Sequence, residues 1–249
     1  MSVYLTGDTH IPIDISKLNT TCFPEQKQLT RDDYVIVLGD FGLLWARDRE
    51  YKYWKEWLEK KNFTVLWIDG NHENHEWIDS LPVSEWHGGK VHFVSDNIIH
   101  LMRGQVFEIG GKYFWTFGGA YSPDKAFRQE GVTWWAREEG SYAEQMEGLQ
   151  KLYYVDGKGI VSPVDYILTH TCPDSIVEEM FGVTLYPSDT GKYLDYVKDF
   201  VIGVINPDDP SVLPMFLRGW YFGHWHKGVD FVKDGISYHS LYNSVIKLV

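Results

Sequence analysis

The amino-acid sequence predicts an α/β fold whose functional side chains lie at the carboxyl ends of its strands. Short apolar runs rich in β-branched residues recur about 30 residues apart early in the chain, and charged, helix-favouring segments lie between them, as in βαβ units. Residue types that bind metals follow several of these runs directly. Because functional groups of an open α/β sheet collect outside the carboxyl ends of its strands, we expect these side chains to converge on one site.

The first half of the chain is predicted to form a parallel sheet. Its strands are 2–6, Tyr34–Leu38 and Thr64–Ile68, each a continuous apolar run of the kind found in sheets that are covered on both faces. The clearest helix is 49–61, where aromatic residues and Leu58 follow helical spacing among charged residues.

After Gly88 the pattern changes to antiparallel pairing. The remaining predicted strands are 91–94, Gln105–Ile109, Lys112–Phe117, Tyr166–Thr169 and 220–222, followed by a hairpin over 229–248. An Asp234-Gly235 pair is the predicted turn of that hairpin, because this dipeptide favours tight hairpin turns.

Two long insertions are predicted within a single domain that covers 1–249. They lie at about 120–163 and 172–217, and segments of that length in a compact domain are usually functional or disordered. The first contains a predicted helix over 141–153. The second contains five prolines, which favours an irregular, loop-rich lid.

Composition limits the class of partner and the compartment. Lys plus Arg number 23 against 35 Asp plus Glu, a formal net charge of −12, which disfavours duplex nucleic acid held by phosphate neutralisation but not a small phosphorylated substrate. The two cysteines, Cys22 and Cys172, indicate neither a disulfide framework nor a zinc knuckle, so we expect the reducing cytoplasm. We see no secretory signal and no membrane span, and we expect no membrane partner.

Five separate segments place metal-ligand side chains at predicted strand ends. The residues are Asp8, His10, Asp40, Asn71, His170, His224 and His226. Asp40, on the strand next to Asp8, is positioned to bridge two ions. Together these residues predict two cations about 3.5–4 Å apart. Ligation by Asp, Asn and His suits Mn, Fe or Zn, and it is too rich in nitrogen for a calcium cage or a lone magnesium ion.

The order of these motifs resembles the calcineurin-like metallophosphoesterase family. The motifs read Asp8-Thr9-His10, Gly39-Asp40, Gly70-Asn71-His72-Glu73, His170 and Gly223-His224-Trp225-His226. The resemblance implies a four-layer α/β/β/α sandwich of two mixed sheets flanked by helices. It also implies one metal ion held by Asp8, His10, Asp40 and His226, and a second held by Asp40, Asn71, His170 and His224. Hydrolysis would then proceed by attack of a metal-bridging hydroxide, with His72 assisting the leaving group.

One difference from other members of the family narrows the class of phosphoesterase. The residues after Asp40, 41–44, lack the arginine motif that protein Ser/Thr phosphatases carry at this position. The sequence is therefore more similar to the small bacterial and phage-type phosphoesterases, for which membership does not determine the substrate.

Other residues near the motifs are candidates for contacting the substrate or the ligands. Asn71, Arg128 and Trp45 are the candidate substrate-binding residues, although Arg128 could instead pair with carboxylates of its own insertion. Asp69 and Glu73 are expected either to orient ligand imidazoles or to cap the following helix.

The sequence thus predicts a dinuclear metal-dependent phosphoesterase in which Asp40 and His72 are central to catalysis. A phosphodiesterase or nucleotidase acting on a small nucleotide-like substrate would use the same chemistry. A non-catalytic metal-binding scaffold would carry degenerate ligands, whereas this set is complete. A structural zinc site would use a closed set of Cys and His ligands.

Overall fold

The computed structural model describes residues 1–156, 159–183, 185, 188–205 and 216–249. Its strands are β1 Val3–Thr6, β2 Tyr34–Leu38, β3 Thr64–Ile68, β4 Val83–Trp86, β5 Gly89–Ser95, β6 Ile98–Leu101, β7 Gln105–Ile109, β8 Lys112–Phe117, β9 Tyr154–Asp156, β10 Gly159–Val161, β11 Tyr166–Thr169, β12 Gly219–Phe222, β13 Val229–Lys233, β14 Ile236–Ser240 and β15 Ile246–Lys247. Its α-helices are α1 Arg49–Glu59, α2 His75–Asp79, α3 Tyr142–Leu152, α4 Asp174–Phe181 and α5 Asp189–Ile205.

Two large mixed sheets organise the molecule. The first has the strand order β15-β1-β2-β3-β6-β5-β4, and the second has the order β13-β14-β12-β11-β8-β7. In the first sheet β1, β2, β3 and β6 are parallel, and in the second β8, β11, β12 and β14 are parallel. Each sheet therefore has a parallel centre whose strands end at one edge.

Alternation of side chains along these strands produces four layers. Leu5 of the first sheet and Leu168 of the second belong to the core between the sheets. Trp67, on the opposite face of the first sheet, packs with apolar residues of α1 and α2. Trp220, on the opposite face of the second sheet, packs with those of α4 and α5. The predicted α/β/β/α sandwich is confirmed.

In its described part, the second insertion is largely helical, whereas its prolines suggested a loop-rich lid. Its described residues form α4 and α5, and the buried face of α5 includes Leu194, Val197 and Val201 at helical spacing. Pro173 is the N-cap of α4, so it starts a helix where we expected a loop. The other prolines of this insertion lie outside the described residues. None of the described helices is both long and apolar enough to cross a membrane.

Smaller differences concern element ends and the C-terminal segment. The helix predicted over 49–61 ends at Glu59, and the one predicted over 141–153 begins after Ser141, whose side chain forms a capping box with Glu144. The Asp234-Gly235 turn joins β13 and β14 as predicted. The segment then leaves that hairpin, and β15 pairs antiparallel with β1 in the first sheet.

Candidate metal centre

The structure brings the seven predicted ligands together where the parallel strands end. Asp8, Asp40 and Asn71 follow β1, β2 and β3, which are neighbours in the first sheet. The other four are His10, just past β1, and His170, His224 and His226, after the neighbouring strands β11 and β12. Both sheets thus contribute to one cluster of carboxylate, amide and imidazole groups.

Four of these side chains form one group. Nε2 of His10 lies 3.2 Å from Oδ2 of Asp40, and Nε2 of His226 lies 3.1 Å from Oδ2 of Asp8. The imidazole centroids of His10 and His226 are 5.0 Å apart. This is the set expected to hold the first metal ion.

The second group lies on the other side of Asp40. Nε2 of His170 is 3.0 Å from Oδ1 of Asn71 and 3.4 Å from Oδ1 of Asp40. Potential ligand atoms of Asp40, His170 and His224 all lie within 4.8 Å of one another. Asp40 therefore presents Oδ2 to the first group and Oδ1 to the second, a position that is compatible with a bridging carboxylate.

The backbone of the cluster adopts a conformation that is unfavourable for these residues. His10, Asp40, His224 and His226 have φ of 35°, 46°, 65° and 50°, in the left-handed region where side chains other than glycine are strained. Such strain concentrates at functional sites, where the surrounding structure maintains it. Gly70 allows the close approach, because a Cβ there would lie 2.0 Å from Oδ1 of Asp40.

Two histidines have their ring orientation set by hydrogen bonds from Nδ1. The Nδ1 of His170 lies 2.7 Å from the carbonyl oxygen of Leu38, and the Nδ1 of His10 lies 3.0 Å from Oδ2 of Asp14. A neutral imidazole that donates from Nδ1 keeps a lone pair on Nε2, which is the arrangement metal-binding histidines usually have. Sequence reasoning missed Asp14, although a carboxylate four residues after a candidate ligand was a usable signal.

The electrostatics of the cluster favour positive charge. Burial opposes ionisation of Asp40, but the imidazoles of His170, His10 and His72 together outweigh it and hold the pKa of Asp40 well below its usual range. Burial likewise opposes charge on His170, yet Asp40 raises its pKa to about 9. Burial, together with His170, lowers the pKa of His224 to about 3, so this imidazole is neutral at pH 7.

The donor set fits divalent metal ions. Asp8 and Asp40 are 0% and 1% exposed, and neither carboxylate forms a salt bridge with Lys or Arg within the described part of the chain. The Lys17 ammonium is nearby, but it donates to the carbonyl oxygens of Gly7, Asp8 and Tyr242. Oδ2 of Asp8 is buried and accepts no hydrogen bond of good geometry, although Nε2 of His226 lies 3.1 Å from it. Since buried carboxylates are normally paired or bound to metal, a cation bound among these oxygens and imidazoles would meet the deficit.

His72 lies beside the cluster and touches the first insertion. Its backbone N–H donates to Oδ1 of Asp40 at 2.8 Å, and its ring centroid is 6.0 Å from that of His10. Nη2 of Arg128 lies 3.4 Å from Nε2 of His72. Burial lowers the pKa of His72, and Arg128 lowers it further against the opposing effect of Asp40. Arg128 also donates to both carboxylate oxygens of Asp124 at 2.8 Å, the pairing that the alternative interpretation expected.

A cavity of about 570 Å³ opens beside the cluster. Its wall includes His72, Tyr121, Asp174 and Trp225. Trp45 does not line this cavity, contrary to expectation. Its ring packs edge-on against Trp135 at 5.6 Å, and it faces two neighbouring clefts instead.

Asp69 and Glu73 have neither of the roles considered for them. Glu73 accepts hydrogen bonds from the backbone N–H groups of Phe41 and Gly42, at 2.7 and 3.4 Å, and so supports the loop after Asp40. Burial, with Asp40 nearby, raises the pKa of Glu73 to about 8. Asp69 is instead a buried partner of Arg103.

The cap of α2 is Asn74, whose side chain accepts from the backbone N–H of Trp77. Sequence reasoning also missed Tyr242, which stacks on His226 with ring centroids 4.6 Å apart. No pattern around Tyr242 indicated this contact, because it depends on the return of the C-terminal segment to the first sheet.

A four-layer sandwich with buried carboxylates and imidazoles at its strand ends defines a metallophosphoesterase. The chain matches the family model described as calcineurin-like phosphoesterase over residues 1–228, and it belongs to that family. It is therefore a hydrolase that acts on phosphate esters, and the family implies divalent metal ions as cofactors. The suspected family resemblance is confirmed.

Comparison with individual proteins adds little beyond the family. No curated protein sequence matches the chain. Among solved structures, it is similar to the crystal structure of the phosphopantetheinyl hydrolase PptH from Mycobacterium tuberculosis, with 14% sequence identity and a TM-score of 0.43. The match covers 97% of this chain and 90% of that chain. A similarity of this size carries no argument about the substrate.

Proposed function

We propose that this chain is a dinuclear metal-dependent phosphoesterase acting on a small phosphorylated substrate. One ion is assigned to Asp8, His10, Asp40 and His226, and the other to Asp40, Asn71, His170 and His224. Mn, Fe or Zn is the proposed metal, since these ions accept mixed oxygen and imidazole ligands. The complete ligand set supports an enzyme over a non-catalytic scaffold.

The observation that carries this proposal is the position of Asp40. Its two carboxylate oxygens face different groups of imidazoles, with Oδ2 near His10 and Oδ1 near His170. A carboxylate that served a single ion would not need ligands on both sides. A buried carboxylate between two such groups supports the proposal that two cations bind here.

The bound ions would supply a water of lowered pKa and neutralise charge on the phosphoryl group. Side chains of the protein would contact the leaving group and the phosphoryl oxygens. His72, next to Asn71, is the residue that we propose to act on the leaving group. Arg128, which touches His72, can offer its guanidinium to phosphoryl oxygens, for which its fork of donors is suited. Because arginine only donates, Nε2 of His72 accepts in the present contact, and transfer of Arg128 to a phosphate would free that atom.

A phosphodiesterase or nucleotidase is the second candidate, and the cavity favours it. About 570 Å³ exceeds what a phosphoryl group alone would fill, and the rings of Tyr121 and Trp225 line the space. Such rings can stack on a base or another planar group. Because the net charge of the protein is −12, we do not expect it to bind duplex nucleic acid.

We also propose a cytoplasmic location. Cys22 is an exposed free thiol and Cys172 is a buried one, a combination that suits a reducing compartment. Fractionation of cells that express the protein tests this point. Recovery in an oxidising or membrane fraction would contradict it.

A substrate panel on metal-reconstituted protein tests the function. Apo-protein is loaded separately with Mn, Fe, Zn, Co or Ni and assayed on phosphomonoesters, phosphodiesters and nucleotides. We expect hydrolysis with at least one of these metals and none after chelation. Absence of hydrolysis for every combination would overturn the proposal.

A further inference from the structure

A buried chain of hydrogen bonds links Asn71 to the first insertion. Nδ2 of Asn71 donates to Oγ of Ser122 at 2.9 Å, and that hydroxyl donates to Oε2 of Glu138 at 2.6 Å. The backbone N–H of Ser122 donates to Oε1 of Glu138 at 3.0 Å. The three side chains are at most 3% exposed, so water does not compete for these bonds. Neither Ser122 nor Glu138 belongs to a metal-ligand motif of the sequence.

The Glu138 carboxylate determines which atom donates in each of these hydrogen bonds. Burial raises the pKa of Glu138, and the hydrogen bonds from Ser122 oppose that effect. In its ionised form the Glu138 carboxylate only accepts, so the single hydroxyl proton of Ser122 is committed to it. Oγ of Ser122 can then only accept from Asn71, which must offer its NH₂ group. The opposite orientation of the Asn71 amide would place Oδ1 against a hydroxyl oxygen with no proton to give. The amide oxygen therefore faces the other way, where Nε2 of His170 lies 3.0 Å from it.

We propose that Glu138, acting through Ser122, is a positioning residue that holds the Asn71 amide with its oxygen toward the metal. The NH₂ group has no lone pair for a cation, so the reversed amide would lose a ligand at the second ion. On the NH₂ side of the amide, the carboxylate of Glu138 is the group that distinguishes the two orientations. Since the role is toward a metal ion, the inference rests on the proposed function.

The surrounding backbone keeps Glu138 in place. Nη2 of Arg103 donates to the carbonyl oxygens of Arg137 and Glu138, each at 3.1 Å. Gly119 passes so close that a Cβ there would lie 2.3 Å from the carbonyl oxygen of Glu138. Through Ser122 and Glu138 the first insertion is hydrogen-bonded to Asn71 of the candidate metal centre. This gives the insertion a role at the site that does not require contact with substrate.

Glu138→Gln tests the inference with almost no change of shape. Its amide can donate to Oγ of Ser122, which frees the hydroxyl proton to turn toward Asn71 and stabilises the wrong amide orientation. We expect the affinity for one of two Mn²⁺ ions, measured by calorimetric titration of apo-protein, to fall about 10–100-fold. The Tm of the apo-protein should stay unchanged. Ser122→Ala, which removes both side-chain bonds, should also lower the Mn²⁺ affinity, and Glu130→Gln, at an exposed glutamate of the same insertion, should match the wild type.

A second background separates positioning from a general structural effect. Asn71→Asp places two equivalent oxygens at this position, so the orientation of the group no longer matters. In that background Glu138→Gln should leave Mn²⁺ affinity unchanged or improve it. An equal loss of affinity in both backgrounds, or a fall in apo-protein Tm that accounts for the loss, would overturn the positioning role. Unchanged Mn²⁺ affinity in the Glu138→Gln single variant would overturn it as well.

Failure of the proposed function would give a different result from failure of the positioning role. If wild-type protein binds no second Mn²⁺ ion or hydrolyses no phosphate ester, the metal assignment itself fails. If the wild type binds two ions and is active while Glu138→Gln titrates identically, only the positioning role fails. The wild-type titration is therefore run beside every variant.

Discussion

Nη2 of Arg128 lies 3.4 Å from Nε2 of His72, so a residue of the first insertion touches the histidine that follows Asn71. The same guanidinium is held by Asp124. The contact places a guanidinium, which can donate hydrogen bonds to phosphate oxygens, at the edge of the candidate metal centre. Arg128 and His72 can therefore be tested as a pair.

Arg128→Ala should weaken binding of extended phosphate esters more than it slows the chemistry. Loss of a charge-assisted hydrogen bond is worth about 1.5–3 kcal/mol, so we expect KM for a nucleotide to rise about tenfold or more. The kcat on p-nitrophenyl phosphate should be nearly unchanged. Steady-state kinetics on both substrates decide this, with Arg49→Ala, at an exposed arginine of α1, as the control. Equal losses on the two substrates, or no loss on either, would return Arg128 to a purely structural pairing with Asp124.

His72→Asn should separate catalysis from metal binding. The variant should keep its full metal content and lose about 10²–10⁴-fold in kcat, the usual contribution of a positioned general acid. The loss should be smaller for substrates with good leaving groups, which need less protonation. Metal analysis beside a leaving-group series provides the measurement. A parallel fall in metal content would show that His72 is a ligand or a structural support.

The sequence predicted most of the fold because its signals are local. Continuous apolar runs defined β1, β2, β3 and β11, and the Asp234-Gly235 turn defined the last hairpin. The prediction failed for α4 and α5 because we weighted the prolines over the helical spacing of Leu194, Val197 and Val201. It placed Trp45 at the cavity from its closeness to Asp40 in sequence, whereas the ring packs against Trp135.

The candidate site likewise contains residues that the sequence predicts and residues that only the fold brings together. The candidate ligands could be predicted because each lies within four residues of the end of a strand. The residues that support them could not, since Ser122 and Glu138 meet Asn71 only through folding of the first insertion. The division into one domain with two insertions stays a prediction.

Arg103→Met should destabilise the protein strongly. Arg103 and Asp69 form a buried ion pair, and Nε of Arg103 donates to Oδ2 of Asp69 at 2.8 Å. Removing one partner leaves a buried charge without compensation, which costs about 3–5 kcal/mol of unfolding free energy. The double variant Asp69→Asn/Arg103→Met should recover much of that loss. Urea unfolding measures both, and a double variant no more stable than Arg103→Met would contradict the account.

His75 should make the protein sensitive to mild acid. Burial, helped by Arg103, Arg137 and His100 against the opposing effect of Asp69, lowers the pKa of His75 to about 3. The unfolded chain, with a histidine pKa of about 6.5, therefore binds more protons than the folded protein between pH 6.5 and 3. This contribution to stability is present above pH 6.5 and is lost as the pH falls. In His75→Gln, the unfolding free energy should decline less between pH 7 and pH 5.

His87→Gln, at an exposed histidine, is the control for that measurement. Its unfolding free energy should fall with pH as steeply as that of the wild type. A His75→Gln variant that declines as steeply as the wild type would exclude His75 as a source of the acid sensitivity.

The bridging role of Asp40 is the central claim, and the metal content of Asp40→Asn tests it most directly. Elemental analysis of fully loaded wild-type protein should find two transition-metal ions per chain. Asp40→Asn should lose metal and all phosphoesterase activity, because the carboxylate serves both ions. One ion per chain in the loaded wild type, or an active Asp40→Asn variant, would contradict the dinuclear account.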